Sequence, residues 1–137
     1  MNIVLVFRRK ILGYGFACEE GELSYESNRI RDRLDRYLLE NHIPKRCIAE
    51  KFENFGKVFK GFIGFFEEDI PGFSKNLEEV EIETGKYLKF GNLSSEDDLG
   101  ARFCINKKVQ TYLEENNIRT DWMRFSSGKN SYLRIIN

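Results

Sequence analysis

The chain has 137 residues, of which 41% are hydrophobic and 32% charged, and its 22 basic and 22 acidic side chains cancel. That is the size of one domain with a sizeable core, and the balance excludes a disordered segment and the basic excess of a nucleic-acid footprint. No apolar run approaches the roughly 20 residues needed to span a bilayer.

The three cysteines, Cys18, Cys47 and Cys104, are widely spaced, which fits neither a disulfide framework nor a metal-ligand set. The start, beginning Met1, Asn2, Ile3, Val4, lacks the basic region and cleavage site of a signal peptide. The expectation is a cytoplasmic protein with no cofactor and no metal. Twelve Phe, six Tyr and one Trp are more aromatics than a small core usually needs, and a surplus can line a pocket.

Residues 3–7 form a short β-rich run. Arg8, Arg9 and Lys10 read as a polar turn. Residues 11–18 resume as a strand, with Leu12, Tyr14 and Phe16 alternating with Gly13 and Gly15; the bare face lets a backbone or a ligand approach closely. Glu19, Glu20, Gly21 and Glu22 end it. Residues 25–42 carry a helical stripe of Ile30, Leu34, Tyr37 and Leu38, with charges covering the remaining surface. Asn41 caps its end and Pro44 follows.

Residues 58–66 read as one Phe-rich strand with Gly61 and Gly64, broken by Pro71 and Gly72 at the joint between the halves. Residues 77–82 are a strand on which Glu79, Glu81 and Glu83 alternate with Val80 and Ile82, a solvent-facing edge. Thr84 and Gly85 turn or bulge it, and residues 86–91 continue as a strand. Ser94, Ser95 and the acids after them start a second helix running to about residue 117, with Ile105, Val109, Tyr112 and Leu113 on its stripe and Leu99 and Phe103 at its edge. Residues 122–125 and 131–136 are short strands around a turn at 126–130.

One internal likeness organises this order. Residues 37–43 read Tyr, Leu, Leu, Glu, Asn, His, Ile; 75 residues later the chain reads Tyr, Leu, Glu, Glu, Asn, Asn, Ile. The same register aligns Ile30 with Ile105 and Leu34 with Val109. A unit used twice predicts an α+β fold of two pseudo-symmetric strand–helix–strand–strand modules, about 1–69 and 75–137, each opening with a strand hairpin. Together they form an antiparallel sheet with two helices on one face. No phosphate loop, nucleophile elbow or zinc spacing is present.

Residues 80–90, with Gly85, Lys86 and Tyr87 at their centre, and the helix ending at residues 112–118 resemble the gyrase-inhibitor-like effector-binding domains. These also serve as the ligand-sensing domains of AraC-type, multidrug-responsive transcription regulators. The resemblance implies a standalone small-molecule-binding module of bacterial type, with an aromatic-lined groove between the modules for hydrophobic, aromatic or cationic compounds. Many members carry a glutamate in the last strand; here Asn130 or Ser131 takes its place and Arg134 the proline position. The aromatics expected at the ligand are Tyr14, Phe16, Phe62, Tyr87, Phe90, Trp122 and Tyr132. The alternatives are a small-molecule hydrolase using Glu19, Glu20 or Tyr87 as acid or base, and a protein-interaction module using the groove. Partners other than the ligand would be a second copy or a separate regulator protein; the charge balance argues against direct nucleic-acid binding.

Overall fold

The computed structural model describes residues 1–44, 48–70, 72, 76–91 and 107–137. Strands β1 (Asn2–Val6) and β2 (Arg9–Glu19) lead through a single 3-10 turn into helix α1 (Leu23–Glu40). Strands β3 (Ile48–Phe55), β4 (Val58–Phe66), β5 (Glu78–Ile82) and β6 (Gly85–Gly91) follow, then helix α2 (Lys107–Glu115) and strands β7 (Thr120–Ser127) and β8 (Asn130–Ile135). The expected α+β class is what the chain adopts. The hydroxyl caps at Ser94 and Ser95, the stripe residues Leu99, Phe103 and Ile105, Pro71, Cys47 and Cys104 lie outside the described residues.

The eight strands of the described residues form one antiparallel sheet in the order β1-β6-β8-β7-β3-β4-β2-β5. Read from either end, the order exchanges β1 with β5, β6 with β2, β8 with β4 and β7 with β3. The pseudo-twofold axis therefore passes between β3 and β7, and the duplication seen at the helix ends extends through the sheet.

The structure adds one strand and corrects one expectation. The residues before β4 form a strand of their own, because Gly56 turns the chain in the left-handed region (φ 84°) and its N–H is held by Asn54 Oδ1 at 2.9 Å. The opening hairpins do not exist. β1 pairs with β6 of the other module, and β5 pairs with β2. Each module thus lends its first strand to its twin.

That exchange bends the sheet. β1 and β2 stand six strand positions apart, about 29 Å on a flat sheet. Only Phe7 and Arg8 join them, and that connection reaches about 10 Å. Glu83 and Thr84 join β5 to β6 under the same constraint. The sheet must roll until its edges meet at one end, and there Arg8 N–H donates to Thr84 Oγ1 at 2.8 Å while the Arg8 guanidinium pairs with Glu81.

The repeated sequence is a helix stop used twice. Ile43 N–H donates to Leu38 O at 2.8 Å and Ile118 N–H to Leu113 O at 2.9 Å. His42 and Asn117 are left-handed, with φ of 56° and 52°. Both ends are Schellman motifs with the apolar C″ residue packed beside the last helical turn. Asn41 and Asn116 each turn a side-chain amide back onto the carbonyl of Tyr37 and Tyr112, at 2.9 and 2.8 Å.

Both helices cover the same sheet face. α1 buries Ile30, Leu34 and Leu38 against Leu12, Tyr14, Ile63 and Phe65. α2 buries Val109 and Leu113 against Leu88, Phe90 and Leu133. The rest of α1 is the solvated, charged surface expected: Arg29 pairs with Glu26, Arg31 grips Glu50 on β3 at 2.9 and 3.0 Å, and Arg33 lies over the Tyr14 ring.

Candidate functional site

The face without helices carries its own apolar cluster. Alternation along each strand sends Ile11, Phe62, Phe66, Ala49, Tyr87, Met123 and Phe125 to the inside of the rolled sheet. Phe125 lies at its centre. Tyr132 stacks on it at 4.5 Å between ring centroids with planes 4° apart; Tyr87 and Phe66 meet it edge-on at 5.2 and 6.3 Å. The Arg9 guanidinium covers Phe66 at 3.4 Å from the ring centre. At the pinched end, Val4 and Val6 of β1 and Val80 and Ile82 of β5 pack on this cluster and close it.

Glycines shape the other end. Gly13 and Gly64 face each other across β2 and β4. A Cβ on Gly64 would sit 1.8 Å from Leu12 O, and one on Gly13 would sit 2.1 Å from Ile63 O. What approaches the bare strand at Gly13 is therefore backbone, and the roll of the sheet requires both residues. Gly15 differs: its missing Cβ would meet the movable Phe62 ring at 3.2 Å and Gly61 O only at an ordinary 3.7 Å. There a hollow of about 260 Å³ opens, lined by Gly15, Ala17, Lys51, Lys60, Phe62 and Val80, together with Phe16, Glu53 and Gly61. Val80 comes from the exchanged strand β5, so both modules contribute.

Lys51 governs the charge at this hollow. Its ammonium donates to Glu81 O at 3.1 Å and pairs with Glu53 at 3.3 Å, tying edge strand β5 to central strand β3. Glu53 is the hollow's one lining carboxylate, and it is this lysine's counterion. Across the rolled face, Arg134 holds Asp121 at 2.8 Å and Glu83 at 3.2 Å. The hydrogen bond that Arg134 donates to Asp121, ahead of the opposing cost of burial, raises the Arg134 pKa further.

The sequence-expected aromatics divide between the two faces. Phe62, Tyr87 and Tyr132 belong to the inner cluster. Tyr14 and Phe90 are buried under the helices. Phe16 lies on the helix side with its ring over Gly61, edge-on to Phe52, and reaches the rim of the hollow. Trp122, left-handed at φ 62° in the irregular part of β7, packs on the helix side. It borders a second depression of about 650 Å³ at the end of α2, with Leu113, Asn117, Ile118 and Thr120. Phe125 and Phe66 join the site as well: period-two alternation from Phe62 reaches Phe66, while Phe125 comes beside Tyr132 only through the pairing of β7 with β8. Glu79 and Glu81 of β5 point outward, paired to Lys10 and Arg8, whereas Glu78, on the parity of Val80, accepts the Gly15 N–H at 3.3 Å beside the hollow.

The acid–base candidates do not converge. Glu19 and Glu20 are exposed at the end of β2. Tyr87 is fully buried, donates its hydroxyl to Glu83 O at 2.8 Å, and is pushed up to about 12 by burial. No carboxylate is buried among the described residues, and no His, Cys, Asp and Glu group among them could hold a metal ion. No described helix is long and apolar enough to cross a membrane.

No protein-family model matches the chain, and no curated protein matches it in sequence. Solved structures do match in shape. A protein from Staphylococcus aureus MU50 described as a bacterial transcription regulation protein superposes with a TM-score of 0.62 over 99% of this chain and 97% of its own, at 10% identity. The protein SAV2435 bound to tetraphenylphosphonium superposes with a TM-score of 0.64 over 99% and 93%, at 9% identity. An integron cassette protein from the mobile metagenome of Vibrio cholerae gives 0.59 over 98% and 93%, at 11%. The chain therefore shares its fold, along nearly its whole length, with proteins almost unrelated to it in sequence.

Proposed function

We propose that the chain is a small-molecule-binding domain that takes a flat aromatic compound in the hollow on the helix-free face of the rolled sheet. The observation that carries this is the bare Gly15 beside Phe62, which opens a concave, mostly apolar site at the edge of an aromatic cluster. Ligand pockets are built this way, from apolar walls and a few fixed polar groups. The resemblance to gyrase-inhibitor-like effector-binding domains, and a fold neighbour whose structure holds tetraphenylphosphonium, support the same reading.

The charge of the site favours neutral or anionic aromatics over cations. Lys51 and Lys60 flank the hollow, and Glu53 is already spent on Lys51. A cation would face both lysines and find at the rim only Glu78, whose carboxylate already accepts the Gly15 N–H at 3.3 Å.

Calorimetric titration with aromatic carboxylates, neutral polycyclic aromatics and tetraphenylphosphonium tests both parts. Micromolar binding of the first two classes is expected, with Gly15→Ala weakening it about tenfold, or roughly 1.4 kcal/mol. Tighter binding of the phosphonium would overturn the charge assignment. No binding below millimolar in any class would overturn the function. Ligand-induced quenching of Trp122 would move the site to the depression beside α2.

A further inference from the structure

The two exchanged strands occupy equivalent edges of the sheet but present opposite chemistry. Aligning their inward residues, Val4 with Val80 and Val6 with Ile82, places Ile3 on Glu79, Leu5 on Glu81 and Phe7 on Glu83. On β5 every outward position is a glutamate, the usual guard against edge-to-edge pairing. On β1 every outward position is apolar, and no residue of Asn2–Val6 is charged. Ile3, Leu5 and Phe7 are 50%, 60% and 70% exposed, and Met1 before them is 47% exposed. Scattered apolar residues on a surface are ordinary, but a contiguous row on an unguarded edge strand is not.

The row is also self-complementary. A twofold axis through Val4 would lay β1 antiparallel to its own copy, with Ile3 opposite Leu5 and Met1 opposite Phe7. The set of outward residues maps onto itself, so the same patch serves both partners, as an isologous interface requires. No charge meets a like charge across it, and directly opposed apolar pairs are the stabilising unit of a sheet. The β5 edge cannot do this, because antiparallel pairing with itself would bring glutamates together.

We propose that the chain forms a twofold homodimer by antiparallel pairing of β1 with β1 of a second copy, centred on Val4. This rests on the edge chemistry and is independent of what fills the hollow.

Sedimentation equilibrium of the full chain should give twice the monomer mass. The double variant Ile3→Glu, Leu5→Glu, which copies β5, should give the monomer mass with an unchanged circular dichroism spectrum. Leu39→Glu, at an exposed leucine on α1, should leave the dimer intact. Amide exchange in the wild-type chain needs no variant to fold: residues 2–6 should exchange at least tenfold more slowly in concentrated than in dilute protein. A wild-type chain that stays monomeric into the millimolar range would overturn the proposal. So would a dimer that survives the paired glutamates, or β1 exchange that ignores concentration.

Discussion

Gly64→Ala tests the rolled sheet directly. The new Cβ would fall 1.8 Å from Leu12 O, 2.6 Å from Leu12 C and 2.9 Å from Gly13 Cα. All three are backbone atoms of the paired strand, so no rotamer change relieves the clash. β2 and β4 must separate by more than about 1 Å there, which adds lost ladder hydrogen bonds, about 1 kcal/mol each, to an overpacking cost of about 1–3 kcal/mol. We expect a loss of at least about 3 kcal/mol, or a fall of about 10 °C in melting temperature for a chain of this length. Gly15→Ala is tight only against a movable ring, with the nearest backbone atom at 3.7 Å, and should cost less than about 1 kcal/mol. Gly21→Ala, with nothing within 4 Å, should be neutral or stabilising by up to about 1 kcal/mol. Thermal melts of the three variants form one series. If Gly64→Ala melted within about 2 °C of wild type, the roll at this point would not be as tight as described and the curvature argument would fail.

Three other outcomes are expected. Tyr87 has a folded pKa of about 12 against an ordinary 10.0; its contribution is complete below the unfolded value and is lost as pH rises from there through the folded one. Wild-type stability should therefore drop by about 2–3 kcal/mol across that alkaline window; Tyr87→Phe should flatten the drop, and an unchanged slope would count against burial as its cause. His42→Gly relieves a left-handed backbone at φ 56° and should raise stability by up to about 1 kcal/mol, read as a higher urea midpoint; a lower midpoint would contradict the helix-stop assignment. Lys51→Met keeps the stem but leaves Glu81 O without its donor, at a cost of about 1–3 kcal/mol. Amide exchange should quicken in β5 before any other strand, and a uniform change would show that Lys51 does not fasten that edge.

Local chemistry was legible from the residues themselves. The helix stop is written in a few consecutive side chains, Asn41 to Ile43 and Asn116 to Ile118, because a Schellman turn needs only its own backbone and a cap. The outward glutamates of β5 followed from alternation alone. The turn between β3 and β4 is equally local, at Asn54, Phe55 and Gly56, and the strand reading of residues 58–66 coincides with β4. Alternation also sorts Tyr14 from Phe62 onto opposite faces, but it cannot say which face a helix will cover. That is why buried core residues such as Tyr14 and Phe90 stood beside Phe62 and Tyr132 among the expected ligand contacts.

The sequence by itself determined most of the elements, the α+β class and the duplicated helix ends, since each depends on residues within a turn or two of one another. Only the tertiary structure decided that β1 and β5 change places, and everything at the site follows from that. A two-residue connection between strands six positions apart leaves a flat sheet no solution. The sheet rolls, Gly13 and Gly64 let two backbones close, and the aromatics around Phe125 become the lining of a concave face. The same exchange sends the apolar row of β1 to an open edge, a position that no reading of neighbouring residues reveals.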